Sequence, residues 1–425
     1  MEKVKRVPKL RFFEFSEEWK LKKLREVCEM TSSKRVYVSD YVEEGIPFYR
    51  GKEITELKSN KTPTDILFIT EERYNDYKAK YGVPTKGDIL ITAVGTLGNV
   101  WMVKDYSKFY FKDGNLIWLK NIIVDNDYLE ILLQSNTREF LKTSIGSTQR
   151  ALTMVELRKI QLFFPSLKEQ QKIASFLSAV DKKIQQLQQK QGLLEDYKKG
   201  VMQQIFSQQL RFTKEGGSAY PDWEEKKFNE IYSFYSTNSF SRDKLNYESG
   251  EVRNVHYGDI HTKFSTLFDI NEELVPYVNN EIDLSKVKKE SYLQLGDLLI
   301  ADASEDYNDI GKTIEVVNLN DEKVISGLHT FHARPNKHKM ALGFSGYLLQ
   351  SWLIRKQVMK IAQGTKVLGI STGRLAEIKF FIPSYAEQTQ IAHFLSAIDK
   401  KIAVVQTQIT QTQQFKKGLL QQMFV

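Results

Sequence analysis

Few stretches of this chain hold residue types that do chemistry. In PDWEEK (221–226) a Pro-Asp stands beside an acidic-x-Lys, the groups with which metal-dependent nucleases hold a cation and activate water. In such sites the two parts normally come from different strands and converge on one metal. Here they are contiguous, and the related stretch EEWKLKKL (17–24) lacks the Pro-Asp. A surface strand anchored by Trp223, or by Trp19, fits better. IGKT (310–313) ends like a phosphate-binding loop, but Asp306 stands where its first glycine belongs. His329 and His332 lie in a β-like run, where positions three apart face opposite sides. Cys28 is the single cysteine, so neither an internal disulfide nor a multi-cysteine zinc site can form. There is no HExxH, no CxxC, no carboxylate cluster, no nucleotide-binding glycine fingerprint and no Asn-Pro-Pro-Tyr-like tetrapeptide. No catalytic constellation emerges, and no metal is expected.

The elements that would position a site are set by an internal repeat. PSLKEQQKIASFLSAVDKKI (165–184) and PSYAEQTQIAHFLSAIDKKI (383–402) share 14 of 20 residues at an offset of 218, which also pairs KKGVMQQIF (198–206) with KKGLLQQMF (416–424). The offset falls towards the N-terminus: 213 for Gly98 and Gly311, 209 for KGDILI (86–91) and LGDLLI (295–300), 204 for Trp19 and Trp223. Each half is therefore a divergent globular region followed by a nearly identical tail. The segments are 1–164, 165–206, 207–382 and 383–425. The repeat is also cyclic: VPKLRF (7–12) resembles QQLRF (208–212), which follows the first tail. The two ends of the chain are expected to meet.

The tails read as long helices. Ile173, Leu177, Val180, Ile184 and Leu187 form a heptad seam, as do Ile391, Leu395, Ile398, Ile402 and Val405. The two are expected to pair as an antiparallel coiled coil. Ser166 and Ser384 follow prolines as N-caps, with Glu169 and Glu387 completing a capping-box pattern. Gln191, Lys198, Thr412 and Lys416 are polar seam positions. They either control register or mark where partner helices complete the bundle. In the globular regions GDILITAV, NVWMV, GNLIWLK and VISGLHTF read as short strands, with helical patches at 127–143 and 344–362. The fold class is α+β: two small irregular β-rich domains with helices, alternating with two long paired helices in a pseudo-twofold cyclic repeat.

The net charge is +8, distributed as +5, +3, −2 and +2 over the four segments. This suits a polyanion met through local basic loops and excludes a nonspecific DNA-coating protein. The start, MEKVKRVPKL, lacks a secretory apolar run, and no stretch is long enough to span a membrane, so the cytoplasm is expected.

The alternation of variable regions containing Gly87-Asp88-Ile89-Leu90 and Gly296-Asp297-Leu298-Leu299 with FFPSLKEQQKIASFLSAVDKKI (163–184) and FIPSYAEQTQIAHFLSAIDKKI (381–402) resembles the specificity subunit of type I restriction–modification systems. The resemblance covers essentially the whole chain. It implies a subunit without its own catalytic activity and two target-recognition domains, each reading half of a split double-stranded DNA site. The helices would serve as spacer. Two modification subunits would dock on them, bind S-adenosylmethionine and methylate adenine; restriction subunits would join through those. No cofactor is expected in this chain itself. The alternative reading is a non-enzymatic scaffold whose two domains bind proteins.

Contacts to DNA phosphates need Lys or Arg, and contacts to bases favour Arg, Lys, Asn, Gln, Ser and Thr. Turns at equivalent repeat positions offer them at 49–53, 94–99 and 146–150, and at 256–259, 303–309 and 364–366. The candidates are Arg50, Lys52, Thr96, Asn99, Gln149 and Arg150, then His256, Tyr257, Asn308 and Lys366. Asp302, Glu305, Asp306 and Asp309 make the middle loop of the second domain acidic. Such a loop could meet DNA only by accepting from amino groups of bases.

Overall fold

The computed structural model describes residues 7–145, 150–336 and 339–424. The chain forms two compact units, residues 1–187 with 408–425 and residues 188–407, so each long helix is shared between them.

The first unit is built on two four-stranded sheets. One runs in the order Glu29–Thr31, Leu116–Lys120, Ile89–Thr92, Val100–Met102. The other runs Tyr41–Val42, Leu67–Ile69, Ile46–Tyr49, Tyr110–Phe111, its last pair parallel. The four residues of Ile89–Thr92 are all buried, which is why the sequence reads apolar without alternation there. The second unit repeats the plan. A five-stranded sheet runs Tyr232–Tyr235, Thr330–Pro335, Leu298–Ala301, Thr313–Asn318, Leu267–Asp269. A four-stranded sheet runs Leu245–Asn246, Tyr277–Val278, Arg253–Val255, Val324–Ser326. The helical patches exist but are each broken in two, Asn126–Ser135 with Thr137–Lys142 and Phe344–Gln350 with Trp352–Ile361. The second break falls where Ser351 turns to extended backbone.

The Gly-Asp of the GDIL motif is a structural corner. Gly87 and Gly296 take φ of +92° and +86°, which a side chain would resist. Asp88 accepts from Thr85 N–H and the buried Trp118 indole at 2.9 Å each. Asp297 accepts from Gln294 N–H, His332 and both forks of Arg334 at 2.7–2.8 Å. His332 is thereby explained as a buried strand residue. IGKT is no phosphate loop: Lys312 donates to the His261 carbonyl and Thr313 is buried in a strand. PDWEEK is a surface strand, Glu224–Lys227 against Lys379–Ile382, with Trp223 buried below it.

The long helices are Leu167–Phe206 and Tyr385–Met423, the first about 60 Å long at 1.5 Å per residue. In the first unit Ile173 and Leu177 share a core with Leu419 and Met423. In the second, Val201 and Ile205 share one with Ile391, Leu395 and Ile398. Ile184, Leu187 and Val405 are also buried, and Val180 and Ile402 partly so. Each fully buried side chain of this size contributes about 1.5–3 kcal/mol. The polar seam follows the same antiparallel register. Lys416 meets Asp181 and Lys198 meets Asp399, both at 2.5 Å, and Gln191 donates to Gln406 at 3.0 Å. Thr412 bonds back to the Gln408 carbonyl of its own helix. These partners support register control by Gln191, Lys198 and Lys416.

The capping-box expectation needs correcting. Ser166 Oγ accepts weakly from Glu169 N–H at 3.4 Å, and Ser384 Oγ is buried without a partner among the described residues. The carboxylates are drawn elsewhere. Buried Glu169 accepts two bonds from Arg11 at 2.7 Å and one from the Trp19 indole at 3.3 Å. Buried Glu387 accepts the same from Arg211 at 3.2 and 2.8 Å and from Trp223 at 3.2 Å. The bidentate guanidinium is the stronger donor. The next residue is equally structural: Gln170 joins the Pro165 carbonyl to Asp125 N–H, and Gln388 joins the Pro383 carbonyl to Ala341 N–H.

The cyclic repeat closes as expected. Leu10 N–H donates to the Gln422 carbonyl at 2.9 Å, and Phe424 stacks edge-on to Trp19 as Phe206 does to Trp223. The last described residues of the chain thus do for the first unit what the end of the first helix does for the second.

Candidate nucleic-acid interface

In each unit candidate loops far apart in sequence, or the residues that flank them, converge on one mouth; residues 146–149 lie outside the described residues. In the first unit the helix Gly51–Lys58 begins against Thr92 and Val94. Asn99 ties that helix to the second loop, accepting from Lys58 Nζ at 3.0 Å and donating to Thr55 Oγ1 at 2.9 Å. The residues just after the third loop join by the Val94–Ala151 bridge and by Leu152 N–H to the Ala93 carbonyl at 2.9 Å. In the second unit the helix Tyr257–Thr262 reaches the middle loop through His261 Nε2, 2.9 Å from the Ala303 carbonyl. Ala303–Ser304 pairs with Leu368–Gly369, which follows the third loop.

In each unit a fourth segment reaches the mouth, and the sequence did not mark it. Ala93 N–H donates to the Asn115 carbonyl at 2.8 Å, and Asp302 N–H to the His329 carbonyl at 3.1 Å. Gly114 and Gly327, 213 residues apart as Gly98 and Gly311 are, were the available signal.

The individual candidates divide. Lys52, Thr96, Arg150, Asn308 and Lys366 are exposed. Arg150 leans on the Leu141 carbonyl at 3.1 Å, and the Asn308 backbone is held by Asp306 and Arg355. Arg50 is half-buried and forked onto buried Glu53, and the same Nη2 also donates to the Asp65 carbonyl at 3.0 Å. Tyr257 is half-buried among the rings of His256, His261 and His329, with centroids 4.7–5.8 Å away. Gln149 lies outside the described residues.

Two candidates have internal roles instead. Both polar ends of Asn99 are engaged by the helix beside it. His256 is buried and caps its helix, its Nδ1 accepting from Gly258 N–H at 3.2 Å. Burial and the nearby Arg242 push its pKa down to about 4, so it is neutral at pH 7 and offers no charge to phosphate. Residues overlooked in the sequence also stand here. Lys58 is half-buried, its pKa lowered by that burial. Arg242 and Lys263 both pair with buried Asp259, at 2.7 and 2.9 Å. Among the described residues no group of three His, Cys, Asp or Glu side chains could hold a metal ion, and no helix is long and apolar enough to cross a membrane.

Comparison with known proteins agrees with this architecture. Residues 16–195 and 219–414 each match the type I restriction modification DNA specificity domain. The specificity subunit of the type I restriction enzyme MjaVIII of Methanocaldococcus jannaschii is 26% identical over 422 residues, covering 95% of this chain and 91% of that one. A Haemophilus influenzae protein, provisionally named a type I restriction enzyme specificity subunit, is 34% identical over 163 residues, 37% of this chain and 39% of its own length. The crystal structure of the type I restriction–modification S subunit from M. genitalium shares the fold, with a TM-score of 0.58 at 15% identity over 99% of both chains. Two matched domains, two mouths of converging loops and a twofold repeat lead to one conclusion: this chain belongs to the DNA specificity subunits of type I restriction–modification systems, recognises DNA by sequence, and has no catalytic activity of its own.

Proposed function

We propose that each mouth reads one half of a split double-stranded DNA site and that the paired long helices set the gap between the halves. The observation that carries this is the convergence, in each unit, of candidate loops and their flanking residues from equivalent repeat positions onto one mouth. Loops held on a rigid β-scaffold are where binding residues concentrate. A twofold repeat offers the same surface twice, so two copies of one partner can dock. In this reading two modification subunits occupy the helices, hold S-adenosylmethionine and methylate adenine within the site. Restriction subunits join through them, and the complex works in the cytoplasm.

The test is equilibrium binding of the assembled complex to a target duplex across a salt series. Affinity should fall steeply with salt, and Lys366→Ala and Arg150→Ala should each reduce the slope by about one if they neutralise phosphates. Binding to target duplex that does not vary with salt, or that both variants leave untouched, would show that the mouths do not face DNA.

A further inference from the structure

We infer that Asp302, oriented by His329, is a base-reading residue of the second unit, accepting a hydrogen bond from an exocyclic amino group of cytosine or adenine in its half-site. This deepens the reading that the mouths face DNA and rests on it.

The inference starts from how Asp302 is held. Its N–H donates to the His329 carbonyl at 3.1 Å, and its carbonyl accepts from Ile370 N–H at 3.0 Å. The residue is thus clamped between two other loops of the mouth. Its carboxylate lies 3.2 Å from His329 Nδ1 and is about a quarter exposed. Glu305, Asp306 and Asp309 differ. They belong to a turn of their own, in which Asp306 accepts from Asn308 N–H at 2.8 Å. Burial already raises the Asp302 pKa, while His329 lowers it. The carboxylate has therefore lost part of its water in the free protein. Little more ordering is needed when a ligand arrives, which is the arrangement a specific reader requires.

His329 supplies the second observation. It stands at φ +54°, a left-handed conformation that few non-glycine residues adopt. Such conformations persist where the surroundings over-determine them, and they cluster at functional sites. Here the ring lies against Asp302 and steeply tilted to the ring of Tyr257, with centroids 5.2 Å apart, and is half exposed. With Nδ1 facing the carboxylate, Nε2 is the ring nitrogen left for a ligand.

The chemistry then narrows the ligand. A carboxylate is repelled by phosphates and accepts hydrogen bonds only. In the major groove the donors are cytosine N4 and adenine N6. The first unit keeps the same backbone bond, Ala93 to Asn115, with neither acid nor imidazole. The pair should therefore act on one half-site alone.

The assembled complex, with its modification subunits, should be assayed for binding to a library of duplexes varied one base pair at a time. Asp302→Asn should cut discrimination at a single position of the second half-site by about ten- to a hundredfold, at a base pair whose cytosine or adenine is required. His329→Gln should weaken the same position less. The first half-site serves as the internal control. Unchanged discrimination at every position in both variants, or a uniform loss across the second half-site, would overturn the assignment. Failure of the broader reading looks different: Lys366→Ala and Arg150→Ala would then also leave DNA affinity unchanged.

Discussion

The two mouths share a skeleton and differ in nearly every polar group. The first offers Arg50, Lys52 and Lys58; the second Tyr257, His261, His329 and Asp302. The nodes where the long helices begin are the opposite case. Arg11, Trp19, Glu169 and Gln170 do in one unit what Arg211, Trp223, Glu387 and Gln388 do in the other. Residues that build the frame recur; residues that would meet the ligand do not. An alternating pattern of sameness and divergence in one chain is thus a map of frame against reading surface.

The largest expected effect comes from breaking the shared frame. Proline at buried Leu187 or part-buried Ile402 removes a helix-interior hydrogen bond and should cost about 3 kcal/mol or more. Assembly with modification subunits and methylation should fail together. A variant that still assembles and methylates would separate the helices from the frame.

Next, the nodes can be compared directly. Glu169→Ala takes the carboxylate from Arg11 in a near-buried position, whereas after Glu387→Ala the more exposed Arg211 keeps Asp222 at 3.6 Å. Each should lose about 3 kcal/mol, the first more than the second, in urea unfolding of the whole chain. A loss confined to one node would mean the two are not equivalent.

A smaller effect separates the units by pH. His256 has a folded pKa of about 4, below the ordinary histidine value of 6.5, so the unfolded chain binds the proton more readily. Stability therefore falls as pH drops from about 6.5 towards about 4. Replacing His256 with Asn removes this loss. The difference between parent and variant in a pH series of unfolding curves isolates it, and a flat difference would show that His256 is not held neutral. The smallest effects belong to single exposed groups: Lys366→Ala or Arg150→Ala should weaken target binding by less than about tenfold at moderate salt.

Much of this frame was legible in the sequence, because frames rest on periodic burial and on repetition. Ile173, Leu177, Leu187, Ile391, Leu395, Ile398 and Val405 are buried where a heptad puts them. The apolar run after each Gly-Asp reads as a strand because both its faces are covered. The meeting of the termini followed from the cyclic repeat and appears as the Leu10–Gln422 bond. What escaped was set by contacts distant in sequence. Glu169 fits a capping box by spacing, but Arg11, 158 residues away, is the stronger donor. Asn99 and His256 are of types that read bases, yet Lys58, Thr55 and Gly258 engage them internally. Lys198 and Lys416 found Asp399 and Asp181 only once the helices were paired. Asp302 was seen as one acid of a loop; its partner His329 lies 27 residues on.

The central claim is that two mouths on one helical frame read two half-sites at a fixed gap. Mapping methylated adenines in DNA from cells expressing this chain and its modification subunit tests it most directly. The account predicts a two-part motif with an invariant number of unread base pairs. Seven residues inserted after Gln191, with a matching heptad in the second helix, add about 10 Å of helix. The gap should then lengthen by about 3 base pairs, with both half-sites unchanged. A single uninterrupted motif, or a gap unmoved by the insertion, would contradict it.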